Sequence, residues 1–362
     1  MRWFAFIRRL FDSKSSNLDG TRSTGFRTPR NSKVPTDLLA LETQKQEMLS
    51  RVEVVANEKQ FEMAHQILEE AVRQHPRSAE VFLALGNTLA LQQDFRGAKA
   101  TYCTALELNP LSALIHYNLG NTLRKLGELH TAIYHLQKSI EIDANFSVAH
   151  HALGLCYSAL NDRCSASAEF RASLSINPQY MDSLRELLRP YLNRKDVSIA
   201  ESILFEFASE NEKSGSFKGF QGLLYYLRGD LVQAKEILSV ALSLDPRNGE
   251  ILDSLGMTLH ELGQINEALS CYDQAICLNP NASSTYVHRA LAHLESGNFL
   301  QGWADYEWRH HPDEAILNPM PPLWDGCTSE STNLLIFREQ GIGDEILFSA
   351  YIPHVSQRVK NC

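Results

Sequence analysis

The chain has 362 residues, with 34 Lys and Arg side chains against 43 Asp and Glu, so its net charge is −9. This acidic balance excludes a protein that works mainly by neutralising nucleic-acid phosphates, because such proteins need a basic surface. No stretch reaches the roughly 20 uninterrupted apolar residues of a membrane-spanning helix, so none is predicted.

The N-terminal 44 residues are predicted to be a basic tail. Residues 1–11, MRWFAFIRRLF, place apolar side chains on one side of a helix and three arginines on the other. Three interpretations stay open for them: a frayed terminus, a weak contact with an anionic membrane surface, or an organelle transit peptide. Residues 12–36 are rich in Ser, Thr, Asn, Arg and Pro, so we expect them to be disordered.

A period of 34 residues organises the middle of the chain. Prolines, glycines, alanines and a large apolar residue each recur at this spacing or its multiples. The glycines are Gly86, Gly120, Gly154, Gly222 and Gly256; the alanines run from Ala64 to Ala268; the apolar residues are Tyr102, Leu136, Phe170, Leu204, Leu238 and Tyr272. A glycine inside a helix costs about 1 kcal/mol against Ala, so a recurring one predicts close helix packing. Each period therefore predicts a helical hairpin, with a turn at Gly127, Gly229, Gly263 and Gly297.

These hairpins resemble the tetratricopeptide repeat family, most clearly in ALIHYNLGNTLRKLGELHTAIYHLQKSIEIDAN. The resemblance implies an all-α right-handed superhelix over residues 45–316, built from about eight hairpins with a groove for a protein or peptide partner. Two hairpins, 181–214 and 283–316, are degenerate. In the first, Leu188 fills the glycine slot and Pro190 lies inside a helix, so we expect a kink or flexible joint near 188–196.

The resemblance implies that the first helix of each hairpin lines the groove. The candidate positions are Asn87, Tyr117, Asn118, Asn121, Arg124, His151, Arg185, Arg189 and Tyr226. One peptide-binding subset of the family carries a regular asparagine ladder, and only Asn118 occupies that slot here. Peptide binding of that particular kind is therefore not predicted.

The sequence predicts no metal site and no cofactor. The seven cysteines are odd in number and none are spaced as CxxC, which favours buried thiols in a reducing, cytoplasmic setting. His116 and His150 occupy equivalent slots where the family packs an aromatic side chain, so we expect core or half-buried histidines. The other histidines lack acidic or thiol partners at metal-ligand spacing.

The pattern changes after residue 316. Residues 317–333 are predicted to be a linker, and Leu334–Phe337 a strand followed by a Gly turn and an amphipathic helix. This strand–loop–helix order is typical of the start of a Rossmann-like α/β unit, although a lone GxG is a weak signal. An aspartate just before a helix, as at Asp344, is also a good N-cap.

The strings YEWR, LWDG and LLIFREQGIGDEILFSAYIP resemble, in this order, the junction of tetratricopeptide proteins with a heptosyltransferase-like glycosyltransferase domain. The resemblance implies that Arg338, Gly341 and Gly343 belong to a ligand loop and that Asp344 is the general base of an inverting sugar transfer. Residues 334–362 hold one strand and one helix, too few for a sheet, so we expect a fragment of a longer protein. Two functions stay open: an interaction scaffold, or part of a glycosyltransferase that binds a nucleotide sugar only in a full-length protein.

Overall fold

The computed structural model describes residues 36–310, 329–333, 357 and 359–361. Residues 36–310 form helices joined by short turns. The α-helices are α1 Thr36–Asn57, α2 Phe61–Gln74, α3 Ala79–Leu91, α4 Phe95–Leu108, α5 Ala113–Lys125, α6 Leu129–Ile142, α7 Ser147–Ala159, α8 Arg163–Ile176, α9 Met181–Arg194, α10 Val197–Glu206, α11 Ala208–Asn211, α12 Gly215–Arg228, α13 Leu231–Leu244, α14 Gly249–Glu261, α15 Ile265–Leu278, α16 Ser283–Glu295 and α17 Phe299–Tyr306. A 3-10 helix follows at Glu307–His310.

The chain divides into two compact bodies, residues 1–254 and 255–362. In the first body, successive helix pairs pack around two apolar clusters, one made of buried residues from Val52 to Cys156 and the other of buried residues from Ala166 to Leu224. The α3–α4, α5–α6 and α7–α8 pairs are hairpins of 13 and 14 residues, as the 34-residue period predicts. Side-chain caps set several helix starts, for instance the Asp94 Oδ1 atom, which accepts from the Gly97 N–H at 3.0 Å.

The recurring glycines lie where the two helices of a hairpin cross, and this prediction is confirmed. A Cβ atom added at Gly86 would lie 2.4 Å from Tyr102 Cε1, and one at Gly154 would lie 2.6 Å from Phe170 Cε1. The seven recurring alanines, Ala64 to Ala268 at intervals of 34, are all buried. Small residues in both slots let the backbones approach within contact distance, which explains why the sequence accepts a helical glycine.

The hairpin at 181–214 has no glycine where its two helices cross. Leu188 and Leu204 occupy the two slots that five other hairpins fill with a glycine and a large residue, and both are buried. Helix α9 extends from Met181 through Pro190 to Arg194 and is followed by Lys195 in the left-handed region, so the kink or flexible joint expected near 188–196 stays a prediction. The second helix is the interrupted one, since α10 ends at Glu206 and four further residues form α11.

The turn inside each hairpin has one residue in the left-handed region. The predicted turn glycines have positive φ, between 74° at Gly263 and 83° at Gly229. In the remaining hairpins the same slot is held by Lys59, Gln93, Asn161 and Lys195, with φ of 57–63°. The left-handed turn is therefore kept even where the residue carries a Cβ atom and adopts positive φ at a steric cost.

Helix α1 begins at Thr36, inside the stretch predicted to be tail. Its 22 residues exceed the 13 of the first helices that follow it. The Glu, Gln and Lys residues from 42 to 47 are good helix formers. The predicted membrane-contact segment 1–11 lies outside the described residues. Among the described residues, every helix is too short or too polar to cross a bilayer.

In the second body, the Gly256–Tyr272 crossing repeats the pattern of the first, with the added Cβ atom 2.5 Å from the ring. Trp308 stacks on Tyr286 with ring centroids 4.0 Å apart, whereas Trp303 remains half exposed. Two short strands are described, β1 Ser329–Asn333 and β2 Val359–Asn361, and they pair in parallel. Strand β1 lies in the segment predicted to be a linker, and the strand predicted at 334–337 lies outside the described residues.

Candidate functional site

An open cavity of about 820 Å³ lies between the first helices α1, α3 and α5 of the first body. Its wall combines apolar side chains with amides and a few charges. The lining includes Gln46, Leu49, Glu53, Leu83, Ala84, Asn87, Tyr102, Asn118, Asn121 and Lys125. Three of the predicted groove residues, Asn87, Asn118 and Asn121, are therefore together in one cavity. First helices supply nearly all of the lining, because the second helices of these hairpins pack behind them.

A hydrogen-bond chain fixes the amide of Asn87 at the cavity wall. Its Oδ1 atom accepts from the Tyr102 hydroxyl at 2.7 Å and from Asn118 Nδ2 at 2.9 Å. Tyr102 is buried, and burial together with Tyr117 raises the pKa of its hydroxyl, so it stays a donor. With its oxygen occupied twice, Asn87 presents its two N–H groups to an incoming ligand.

The next predicted groove residues follow on α5 and α7. Tyr117 packs edge-on against Phe146 at 5.2 Å, and His151 packs edge-on against Tyr180 at 5.1 Å. Arg124 donates from Nε and Nη2 to the Asn121 Oδ1 atom at 3.2 and 2.8 Å. These side chains form an aromatic and cationic strip beside the cavity.

The remaining predicted residues lie farther along the chain. On α9, Arg185 binds Asp182 at 2.6 Å and also Glu250 of α14 at 2.8 Å, a pair of residues 65 positions apart. Arg189 is exposed and binds Glu186 at 2.8 Å. Tyr226 is half-buried on α12. The cavity wall includes none of these three residues.

The contribution of helix α1 to the cavity was missed from the sequence. Lys45 is 7% exposed and lies between Glu42 and Glu80, with its Nζ 2.6 Å from the Glu80 carboxylate. Burial alone would lower the pKa of this lysine, but the two carboxylates outweigh burial and raise it. The ion pair ties α1 to α3 and so holds one wall of the cavity. The signal in the sequence was the Glu-x-x-Lys spacing at 42–45, which alone identifies no partner on another helix.

Two histidines, one on each helix of the α5–α6 hairpin, are joined by a hydrogen bond. The Nδ1 atoms of His116 and His135 are 3.0 Å apart, and His116 Nε2 is 3.2 Å from the Pro110 carbonyl. A carbonyl only accepts, so His116 carries its proton on Nε2 and His135 donates from Nδ1. Burial, with a contribution from His116, lowers the pKa of His135 to about 4. His116 is buried as expected, and His150 is half-buried and bonds Glu169 at 2.7 Å.

No group of three or more potential metal ligands occurs within the described residues. Five cysteines of that part of the chain are free, and burial raises the pKa of the Cys156 thiol to about 11. The predicted ligand loop Arg338, Gly341 and Gly343 and the predicted base Asp344 lie outside the described residues. Their roles remain predictions.

Comparison with known proteins identifies the hairpins. Family models described as Tetratricopeptide repeat match residues 113–146, 79–110 and 148–180, and a TPR repeat model matches residues 256–297. The chain thus contains tetratricopeptide repeats in both compact bodies.

Similar proteins share parts of this chain only. Protein FlbA of Caulobacter vibrioides is 24% identical over 163 residues, which cover 34% of this chain and 27% of FlbA. A DnaJ homolog subfamily C member 7 homolog of Dictyostelium discoideum is 26% identical over 142 residues, covering 39% of this chain and 23% of the relative. The chain therefore spans about a quarter of the length of these two relatives.

Two solved structures share the fold. A tetratricopeptide repeat protein from Parabacteroides merdae matches with a TM-score of 0.53 at 17% identity. The match covers 69% of this chain and 99% of the Parabacteroides chain. Yeast Tom70 matches with a TM-score of 0.55 at 15% identity. The match covers 72% of this chain and 56% of the Tom70 chain. These matches establish the helical repeat fold for the greater part of the chain.

Proposed function

We propose that this tetratricopeptide repeat chain is a scaffold that binds an extended segment of another protein in the cavity between α1, α3 and α5. The observation that carries the proposal is the cavity itself, with its volume of about 820 Å³ and mixed lining. Binding clefts of this kind combine an apolar surface with a few oriented polar groups.

The orientation of Asn87 favours a peptide main chain as the ligand. Its two amide N–H groups can donate to a backbone carbonyl, while Leu49 and Leu83 offer apolar contact to alternate side chains. An extended segment exposes carbonyls and side chains in this alternation, whereas a helix uses its carbonyls internally. The cavity therefore fits an extended peptide better than a helical one.

The test is a selection of peptide ligands from a phage-displayed random library on the full chain. Selected peptides should lose binding to Ala84→Trp, because Ala84 lines the cavity and an indole there would fill it. The matched control is Ala168→Trp, at an exposed position on the second helix α8, which should bind as the wild type does. If no peptide is selected, or if both variants bind equally, the cavity is not the binding site.

A second candidate function is the glycosyltransferase suggested by the C-terminal resemblance. What favours it is the parallel pairing of β1 with β2, because Rossmann-like units are built on parallel strands. We infer that these two strands belong to a Rossmann-like unit. Reading the coding sequence beyond Cys362 and titrating the complete protein with UDP- and ADP-linked sugars tests it. A complete protein that binds none of them refutes this candidate and leaves the scaffold untouched.

The membrane contact of residues 1–11 also remains a proposal, supported by their amphipathic sequence alone. Flotation with phosphatidylserine-containing liposomes, with and without these residues, tests it. Equal binding of the two proteins would refute the contact.

A further inference from the structure

Arg124 differs from the other half-buried arginines of the described residues. Four of these have carboxylate partners: Arg171 with Glu206, Arg185 with Asp182 and Glu250, Arg289 with Asp273 and Asp305, and Arg309 with Glu307. Within the described part of the chain, Arg124 has no carboxylate at ion-pairing distance and bonds only the neutral amide of Asn121. A half-buried guanidinium without a counter-charge has lost part of its hydration, and no ion pair compensates for that loss. Such a group favours the binding of an anion.

The surroundings of Arg124 add aromatic surface. Tyr117 lies two turns earlier on the same face of α5, and His151 faces it from α7. Burial raises the pKa of Tyr117 and lowers the pKa of His151; the charge of Arg124 opposes the first shift and adds to the second, so Arg124 is within electrostatic range of both side chains. Arg185 lowers the pKa of His151 as well, whereas Asp182 raises it.

Hydrogen bonds define the state of His151. The Ser183 hydroxyl donates to Ser173 Oγ at 2.9 Å, so it accepts from His151 Nδ1 at 3.0 Å. His151 is thus a neutral Nδ1–H tautomer at pH 7, and its Nε2 carries no proton. The permanent charge of Arg124 therefore acts on a neutral ring whose Nε2 atom is an acceptor.

Arg124 also lies partway along the groove rather than at an end. On one side, Asn118 and Asn121 of the same helix line the cavity. On the other side, the half-buried side chain of His151 on α7 continues the polar surface, held from behind by the buried Ser183 of α9. A segment that lies along these first helices passes Arg124 with chain on both sides of it.

We propose that Arg124 anchors an acidic side chain, Asp or Glu, inside an extended protein segment that crosses from the cavity to α7. This inference rests on the proposed function. The guanidinium keeps its bond to Asn121 while its outer edge binds the carboxylate through two N–H groups. The rings of Tyr117 and Tyr180 flank the acidic residue with apolar surface. A free C-terminal carboxylate would leave half of this lining empty, so the anion is an internal side chain.

The experiment uses peptides selected on the full wild-type chain from a phage library in which every peptide is fused through its C-terminus. The binders should share one Asp or Glu. A synthetic, C-terminally amidated binder and its Glu→Gln or Asp→Asn counterpart are then compared by fluorescence anisotropy. We expect the neutral peptide to bind wild type about 10-fold more weakly, which corresponds to about 1.4 kcal/mol. On Arg124→Gln the two peptides should bind equally.

The control is Arg96→Gln, since Arg96 is an exposed arginine on the second helix α4, and this variant should keep the 10-fold preference. Circular dichroism checks that Arg124→Gln remains folded. A preference that persists on folded Arg124→Gln overturns the inference, and so does selection of binders without a shared acidic residue. Binders that require a free C-terminal carboxylate in synthetic form overturn it too. In those outcomes the groove still binds peptide, whereas selection of no peptide at all refutes the proposed function itself.

Discussion

Replacement of Gly154 by Ala tests the helix crossing on which every hairpin depends. The added Cβ atom would lie 2.6, 2.8 and 3.0 Å from three atoms of the Phe170 ring. Carbon atoms pack favourably at about 3.5–4.0 Å, so the overlap approaches 1 Å against a flat, rigid group. Phe170 is 3% exposed and has little room to retreat.

Two opposing effects determine how much Gly154→Ala changes the free energy of unfolding. Overpacking of this kind costs typically about 1–3 kcal/mol, and the large overlap places Gly154→Ala near the upper end. The higher helix propensity of Ala returns about 1 kcal/mol. We therefore expect the free energy of unfolding to fall by about 2 kcal/mol, measured by urea denaturation followed by circular dichroism.

The same substitution in a Phe170→Ala background reverses the expected sign. Without the ring the Cβ atom meets no obstacle, and only the propensity gain of about 1 kcal/mol remains. The cycle of the four proteins should thus give a coupling of about 3 kcal/mol between the two positions. If Gly154→Ala is equally destabilising in both backgrounds, the glycine is not required by contact with Phe170 and the reasoning is refuted.

Two further predictions concern buried charge. The pKa of His135 is about 4 in the folded protein and near 6.5 when unfolded, so acidification below pH 6.5 protonates the unfolded state first and destabilises the fold. Wild type should lose up to about 3 kcal/mol more than His135→Gln between pH 7 and pH 4, and parallel urea midpoints of the two proteins over that range would contradict this. Arg289 pairs through Nε and Nη2 with Asp305, which is 4% exposed, so Arg289→Met should cost about 3–5 kcal/mol by thermal denaturation. Adding Asp305→Asn should recover most of this loss, and no recovery would show that the ion pair is not the cause.

The sequence alone predicts the repeat, its period and its crossing points. Gly154 and Phe170 lie 16 positions apart in adjoining helices, and their recurrence every 34 residues identifies both slots. Periodic burial of small residues leaves few alternatives to stacked helical hairpins. The family resemblance supplied the groove positions, and three of the nine, Asn87, Asn118 and Asn121, line one cavity.

The 34-residue period does not predict the helix bounds of the degenerate hairpin at 181–214. Leu188 in the glycine slot and Pro190 predict a kink or flexible joint near 188–196, but they do not predict that the second helix is interrupted after Glu206. Sequence shows that two bulky residues occupy the two slots, whereas the point at which each helix ends depends on the packing around both helices.

Charges and tautomers were decided only in the tertiary structure. The Arg185–Glu250 pair joins residues 65 positions apart, and the isolation of Arg124 depends on where every nearby carboxylate lies. Local periodicity fixes which face of a helix a side chain occupies, because that depends on the helix geometry alone. Whether a charge on that face has a partner depends on the angles between helices, and those angles arise from the packing of the whole repeat array.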